Sequence, residues 1–416
     1  MSKDYNFYFD EIYHDKAITL SDNKLNILAD NILDDYIGFF WGAREDRVLD
    51  ILDGFSAFEI KQKQAFSMPV EKELKSRSFS NSQYSKGVNS FNNLLLDFYT
   101  KLFDLCIEKK LIFQIEIISK MEILVRKLFP DVNWFRENGF IYDVFVYSFS
   151  KMLINYNHQE LIDVLCRLDN SLNDECIAIL KKTVLEVIAA GTGVARKEIE
   201  VHLYKQFLVI FDCPGLRISP IRNQKWIYFT NFDGLCNLLK ELSINPKRVN
   251  LYIDNEENTV TAAQEYPFKQ AVGVDSKENI GVRVSDWLVG FIGRIVWGLI
   301  HDPQVMEEKV ENIENIKTDE FKRRRLINEK WFNLNEKKFV CYKKAARCFL
   351  IQQPHKWTIM HCSYADHAIQ FVSLLRYIDQ FDFESYSAMN AITHRDKYTE
   401  FCLLEMQEYY KTIQRL

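Results

Sequence analysis

The chain has 416 residues, of which 47% are hydrophobic and 14% aromatic, enough apolar material for two or three domains with sizeable cores. Its 14 glycines and 8 prolines exclude collagen-like and low-complexity structure. The net charge of −5 lacks the strong basic excess that marks many nucleic-acid-binding domains, although local basic patches remain compatible with it.

Cysteine usage and apolar stretches indicate the cellular environment. The nine cysteines include no Cys-x-x-Cys pair, and their odd number argues against a disulfide framework or a zinc ribbon. The first residues lack the apolar core of a signal peptide. The longest apolar stretch, residues 287–300, contains three glycines and Arg294, so we do not expect it to span a membrane. We therefore expect a cytoplasmic protein with reduced thiols.

The first 120 residues combine strand-like and helical patterns. Aromatic and β-branched residues in short runs predict strands, and apolar residues three and four apart predict a helix. On these criteria we predict strands over 5–20, 36–41, 58–64 and 111–118, a polar loop over 67–87, and a helix over 88–109.

The remaining chain alternates between helical regions and a few strands. The periodicity is helical over 121–200, strand-like over 206–212 and 226–229, and helical over 235–242. A strand over 248–254, a loop over 264–278 and a helix over 285–300 follow. A charged stretch spans 307–325, and mostly helical sequence continues to residue 416.

These elements predict an α/β fold in which helices flank a mixed sheet. We expect a sheet-containing core in two parts, residues 1–120 and 201–300. A helical insertion over 121–200 interrupts it, and a helical C-terminal region over 301–416 follows.

Three aspartates occupy corresponding places on separate elements. Asp10 and Asp254 end apolar strands, and Asp286 stands near the start of an apolar helix. The carboxyl ends of parallel strands converge at one edge of a sheet, where a helix can add a third carboxylate. Hard oxygen ligands of this kind suit Mg²⁺ or Mn²⁺, and two such ions support phosphodiester hydrolysis. Each aspartate also has a structural interpretation, as a turn residue or a helix-capping group.

The same segments resemble an uncharacterised bacterial family of domain-of-unknown-function proteins with an RNase H-like fold. The run 5–15, YNFYFDEIYHD, is similar to the family's opening strand, which ends in Asp-Glu. Residues 249–254 resemble its later strand ending in Asp. Residues 280–290 resemble a segment of the form Gly-Ile-Gln-x-Ala-Asp-Leu-x-Ala-Gly. The resemblance covers residues 5–20, 110–120 and 248–295, in the family's order.

The resemblance implies an RNase H-like nuclease core, often found in bacterial defence against phage. It implies catalytic and metal-binding roles for Asp10, Asp254 and Asp286. The chain departs from the family at residues 12–14, where Ile-Tyr-His replaces Ser or Thr followed by Gly, and at Arg283, where the family has Gln. These departures keep open a second interpretation, an inactive recognition or scaffold subunit that binds nucleic acid or a protein partner.

Several further side chains are candidates for the site or for contacts with nucleic acid. Glu11 joins the site only if its strand ends or bulges there, because successive strand side chains point to opposite faces. His14 is a candidate base and Asp275 a candidate outer ligand, with a surface residue and a loop cap as the respective alternatives. The candidate phosphate contacts are Lys61, Lys63, Lys120, Arg283, Arg323 and Arg324.

The basic run near residue 323 follows several glutamates, so a solvated charged helix is the alternative interpretation there. His355, His361 and His367 recur at six-residue intervals, which is not the ligand spacing expected of a helical zinc site. Long helical regions also predict a protein partner or self-association.

Overall fold

The computed structural model describes residues 4–13, 20–21, 24–25, 35–156, 161, 173–219, 229–302, 326–351 and 365–413. The strands are β1 (Tyr5–Ile12), β2 (Leu20–Ser21), β3 (Lys24–Leu25), β4 (Asp35–Arg44), β5 (Ser85–Val88), β6 (Ile112–Ser119), β7 (Val249–Asp254) and β8 (Gln270–Val274). The helices are α1 (Glu45–Ala65), α2 (Asn93–Lys109), α3 (Lys120–Leu128), α4 (Val132–Glu137), α5 (Tyr142–Asn155), α6 (Asn173–Gly191), α7 (Glu198–Asp212), α8 (Phe229–Glu241), α9 (Glu257–Gln264), α10 (Ile280–Ile300), α11 (Glu336–Ala346), α12 (Asp366–Asp379), α13 (Phe383–Ser387) and α14 (Ala391–Ile413).

The predicted α/β class with a mixed sheet is confirmed. Five strands form the main sheet in the order β6-β4-β1-β7-β8. Strand β4 runs antiparallel to both β1 and β6, whereas β7 and β8 run parallel to β1. Nine of the ten residues of β4 are buried, as expected for a strand covered by helices on both faces.

The two faces of the sheet support different hydrophobic clusters. Phe7, Phe9 and Ile253 point into one cluster, which α8 and α9 cover. Tyr8 and Tyr252 point to the other face, and their rings stack with centroids 5.2 Å apart. Helix α10 packs on that second face. Because side chains alternate along a strand, Asp10 and Asp254 follow the tyrosines onto the α10 face.

Glycines let α10 approach β1 closely. A Cβ atom at Gly281 would lie 2.2 Å from the ring of Tyr8, and one at Gly293 would lie 2.6 Å from Ile12. The indole of Trp41 donates a hydrogen bond of 2.8 Å to the carbonyl of Gly281. These contacts fix the helix along the strand that carries Asp10.

The helices between residues 121 and 218 form a hydrophobic cluster of their own. Phenylalanines on α4, α5 and α7, together with apolar residues of α3 and α6, fill this second cluster. By contrast, α11, α12 and α14 contribute to the same cluster as α10 and the sheet. The C-terminal helices therefore share the main core, whereas the inserted helices bury a separate one.

Three sequence predictions of local structure are wrong. Residues 58–64 belong to α1, where Phe58 and Gln62 are buried one turn apart. Residues 206–212 belong to α7, whose buried positions Phe207, Ile210 and Phe211 have helical spacing. The loop predicted over 264–278 contains the edge strand β8.

The predictions for 307–325 and for most of 226–229 lie outside the described residues. Within the part of the chain that the structure describes, no helix is long and apolar enough to cross a membrane.

Candidate active site

A cavity of about 500 Å³ opens at the carboxyl ends of β1 and β7. It brings together side chains from β1, β7, α10 and the segment between α1 and β5. Five of its lining residues are acidic and three are basic. The acidic residues are Asp10, Glu11, Asp254, Glu256 and Asp286, and the basic residues are Lys75, Arg77 and Arg294.

Asp10 and Asp254 are placed together by strand register. Phe9 pairs with Ile253 in the parallel ladder, so the next residues along the two strands are the two aspartates. Neighbouring strands lie about 4.8 Å apart, and both carboxylates point to the face that α10 covers. One oxygen of Asp10 accepts a hydrogen bond of 2.8 Å from the backbone N–H of Glu11.

Asp286 reaches the cavity from the second turn of α10. The helix begins at Ile280, five residues before the predicted start at 285, and is capped by Asn279. The carboxylate accepts hydrogen bonds from Ser76, 2.6 Å from the backbone nitrogen and 2.7 Å from the hydroxyl. The indole N–H of Trp287 donates to the backbone carbonyl of Leu74 at 2.6 Å, and this contact also fixes the segment around Ser76 to the helix.

Lys75 lies among the acidic groups. Its Nζ is 3.7 Å from Asp254, 3.4 Å from Glu73 and 2.9 Å from the hydroxyl of Ser276. Although desolvation disfavours the ammonium, these carboxylates and Asp286 raise the pKa of Lys75 above its usual value. The lysine is therefore a fixed positive charge beside Asp254.

Glu11 lines the cavity from the other face of β1. It alternates with Asp10 and meets α9, where the hydroxyl of Thr259 donates to its carboxylate at 3.4 Å. Thr259 also donates to Glu256 at 3.0 Å, so the two glutamates share one donor. The strand continues to Ile12, and the backbone turns at Tyr13, whose φ is 62°.

Burial and mutual repulsion alter the acidity of the carboxyl groups. Desolvation, followed by repulsion from Asp286 and Asp254, raises the pKa of Asp10 well above its usual value. Desolvation also raises the pKa of Asp286, and its contacts with Ser76 oppose that rise. For Glu11, desolvation and the adjacent Glu256 raise the pKa. A cation in the cavity would favour the charged form of all three groups.

The donor set fits a hard divalent cation in chemical type. Carboxylates from β1, β7 and α10 line one cavity, and oxygen ligands are what Mg²⁺ and Mn²⁺ prefer. Within the described ranges, however, no three His, Cys, Asp or Glu side chains are already arranged to hold a metal ion. Instead, Asp286 contacts Ser76 and Asp254 lies near Lys75.

Three predicted phosphate contacts lie away from the cavity. Lys61 and Lys63 were expected on one face of a strand but belong to α1. Lys61 is exposed, whereas Lys63 is buried 3.2 Å from Glu59. Arg283 donates to Glu59 at 2.8 Å and to the backbone carbonyls of Ser276 and Lys277. None of the three lines the cavity.

The other candidate residues have mixed outcomes. Lys120 is buried at the start of α3 and does not line the cavity. Asp275 is the expected loop cap, since its carboxylate accepts from the N–H of Lys277 at 2.9 Å. His367 contacts Asp35 at 2.8 Å. The candidates that lie outside the described residues are His14, Arg323, Arg324, His355 and His361.

Sequence reasoning missed several lining residues. Lys75, Ser76 and Arg77 fall in the polar segment that was predicted as a loop, and only its docking against α10 brings them to the aspartates. Arg294 had a detectable signal, because it is the charged residue in the apolar stretch 287–300, eight residues after Asp286. Glu256 follows the strand-ending Asp254 by two residues.

No protein-family model matches the chain, and neither curated proteins nor solved structures give a significant match. The functional interpretation therefore depends on the geometry and chemistry of the cavity.

Proposed function

We propose that the protein is a divalent-metal-dependent nuclease that hydrolyses phosphodiester bonds of RNA or DNA. The observation that carries the proposal is the convergence of Asp10, Asp254 and Asp286 on one cavity that also contains basic side chains. The five-stranded mixed sheet supports the proposal, because the sequence resemblance implies an RNase H-like fold with a mixed sheet.

Asp10, Asp254 and Asp286 would hold Mg²⁺ or Mn²⁺, with Glu11 at the edge of the site. When bound, such ions lower the pKa of water and stabilise a leaving oxygen. The chain itself supplies orientation. Ser76 fixes the carboxylate of Asp286 through two hydrogen bonds, and Lys75 stands beside Asp254. The cavity, about 500 Å³ in volume, lies within the usual size range of ligand-binding pockets.

The proposal is tested by cleavage of end-labelled single-stranded RNA and DNA in Mg²⁺, in Mn²⁺ and in chelator. We expect cleavage only with a divalent ion, and a loss of at least about 100-fold in Asp254→Asn and Asp10→Asn. Asp97→Asn is the matched control, because Asp97 is exposed and pairs with Lys101 on α2, away from the cavity. Cleavage that persists in chelator or in Asp254→Asn would contradict the proposal.

The same assay separates the alternative function, an inactive recognition subunit. Binding of RNA or DNA without cleavage, unaffected by Asp254→Asn, would support that alternative. The departure at Arg283 does not itself favour it, because Arg283 is engaged by Glu59 outside the cavity.

A further inference from the structure

Arg294 is a buried cation beside the candidate active site. It lies on α10 eight residues after Asp286, and its side chain lines the same cavity. Only 6% of its surface is exposed. A charged group removed from water to this extent requires hydrogen-bond acceptors or an opposite charge.

The described residues satisfy only part of this requirement. One terminal nitrogen, Nη1, donates to the carbonyl of Gly290 at 3.2 Å, and the guanidinium lies 5.6 Å from the centre of the Tyr84 ring. The buried Nε has no hydrogen-bond acceptor among the described residues. A guanidinium has five N–H donors, so Arg294, which lines the cavity, retains donors that no described acceptor occupies.

Among the described residues, neither Asp286 nor Lys75 uses that capacity. The carboxylate of Asp286 accepts from both the backbone and the hydroxyl of Ser76 and influences Arg294 only through its charge. Lys75 is occupied by Asp254, Glu73 and Ser276. Among the described residues, Arg294 is thus a buried cation of this cavity with donors left for a ligand.

We propose that Arg294 binds the non-bridging oxygens of the phosphate group at which the substrate is cut. This inference rests on the proposed nuclease function. A planar guanidinium can donate two parallel hydrogen bonds to a phosphate and stabilises negative charge that develops there. The exposed Arg77 also lines the cavity and adds a second guanidinium there.

Binding is measured by fluorescence anisotropy with labelled single-stranded DNA and RNA of about 16 nucleotides. The parent is the full chain carrying Asp254→Asn, which keeps the probe intact under the proposed mechanism. Adding Arg294→Gln should weaken binding by about 10- to 100-fold, because hydrogen bonds to a charged group are lost. Adding Arg294→Lys should give an intermediate affinity, since it keeps the charge and loses the fork.

Arg283→Gln is the matched control, because it removes a second buried arginine of α10 that does not line the cavity. We expect its affinity to equal that of the parent. Thermal unfolding shows which variants are folded. If Arg294→Gln does not fold, the affinity of Arg294→Lys is compared with that of the parent instead.

The outcomes separate this inference from the proposed function. If Arg294→Gln weakens binding while the unmodified chain cleaves neither probe with Mg²⁺ or Mn²⁺, phosphate recognition by Arg294 stands and hydrolysis is refuted. If the unmodified chain cleaves, and Arg294→Gln changes neither affinity nor cleavage, the role of Arg294 is refuted and the nuclease stands. Failure of the parent to bind either probe also refutes the role of Arg294.

Discussion

Two arginines on α10 show how the same side chain serves different purposes in one helix. Arg283 and Arg294 are eleven residues apart, about three turns, and both are buried. Arg283 donates to the carboxylate of Glu59 and to two backbone carbonyls, whereas Arg294 donates to one backbone carbonyl and pairs with no carboxylate among the described residues. The buried Nε of each lacks an acceptor there. The comparison teaches that the acceptors available to a buried charge, rather than its burial, distinguish a structural arginine from one prepared for a ligand.

The largest effect on stability is expected at Arg283. Arg283→Gln leaves Glu59 buried with Lys63 as its remaining charged partner, 3.2 Å away. We expect the free energy of unfolding to fall by about 3 kcal/mol, measured by chemical denaturation. Cleavage by the folded fraction should be unchanged. Normal stability combined with lost cleavage would reverse the roles assigned to the two arginines.

The close approach of α10 to β1 determines where both arginines lie, and it can be tested by adding a methyl group at the contact. In Gly281→Ala, the added methyl group would meet the Tyr8 ring at 2.2 Å. We expect a destabilisation of about 1–3 kcal/mol together with reduced cleavage. In Gly54→Ala on α1, the added methyl group would lie 3.3 Å from the flexible chain of Lys109 and 3.8 Å from Leu105, so the change should be neutral or stabilising. Equal effects of the two variants on melting temperature would contradict this packing account.

A smaller effect is expected at Ser76, which orients Asp286 on the Arg294 side of the helix. Ser76→Ala removes the 2.7 Å hydroxyl contact but keeps the backbone contact at 2.6 Å. Cleavage should fall by about 10-fold, as is usual when a group that orients a ligand is lost. Ser78→Ala, an exposed neighbour in the same segment, should cleave normally. Identical kinetics for the two variants would remove Ser76 from the site.

The smallest expected effect is a pH dependence of folding stability that arises at Asp10 and not at Arg283. Desolvation and the neighbouring aspartates raise the folded-state pKa of Asp10 above the unfolded value of 3.8. A raised folded pKa means stability that is complete below pH 3.8 and is lost as pH rises through the folded pKa. In chelator, ionisation of Asp10 should therefore lower the melting temperature at neutral pH, and Asp10→Asn should remove this loss. A stability difference between Asp10→Asn and the unmodified chain that does not change with pH would count against a repelling carboxylate cluster.

The sequence predicted the parts of the molecule that local pattern specifies. Strands β1, β4, β6 and β7 and helix α10 follow from apolar periodicity, and Asp10 and Asp254 follow from their positions at strand ends. The run 206–212 was misassigned because its apolar residues are continuous, and only burial shows their helical spacing. Strand β8 is short and has one buried residue, Ala271, so its pattern is weak.

The other wall of the cavity could not be predicted, because it depends on tertiary docking. Lys75 and Ser76 reach the aspartates only when their segment packs on α10, a contact that Gly290 permits by leaving space for Ser76. Arg283 and Arg294 cannot be distinguished by residue type. Their difference lies in Glu59 on α1, which is distant from both in sequence.

The central claim is that Asp10, Asp254 and Asp286 together bind a divalent cation. Calorimetric titration of the metal-free full chain with Mn²⁺ tests it without requiring a substrate. The account predicts saturable binding of one or two ions, lost in Asp10→Asn and Asp254→Asn and retained in Asp97→Asn. No binding at millimolar Mn²⁺, or equal binding in the unmodified chain and Asp254→Asn, would contradict it.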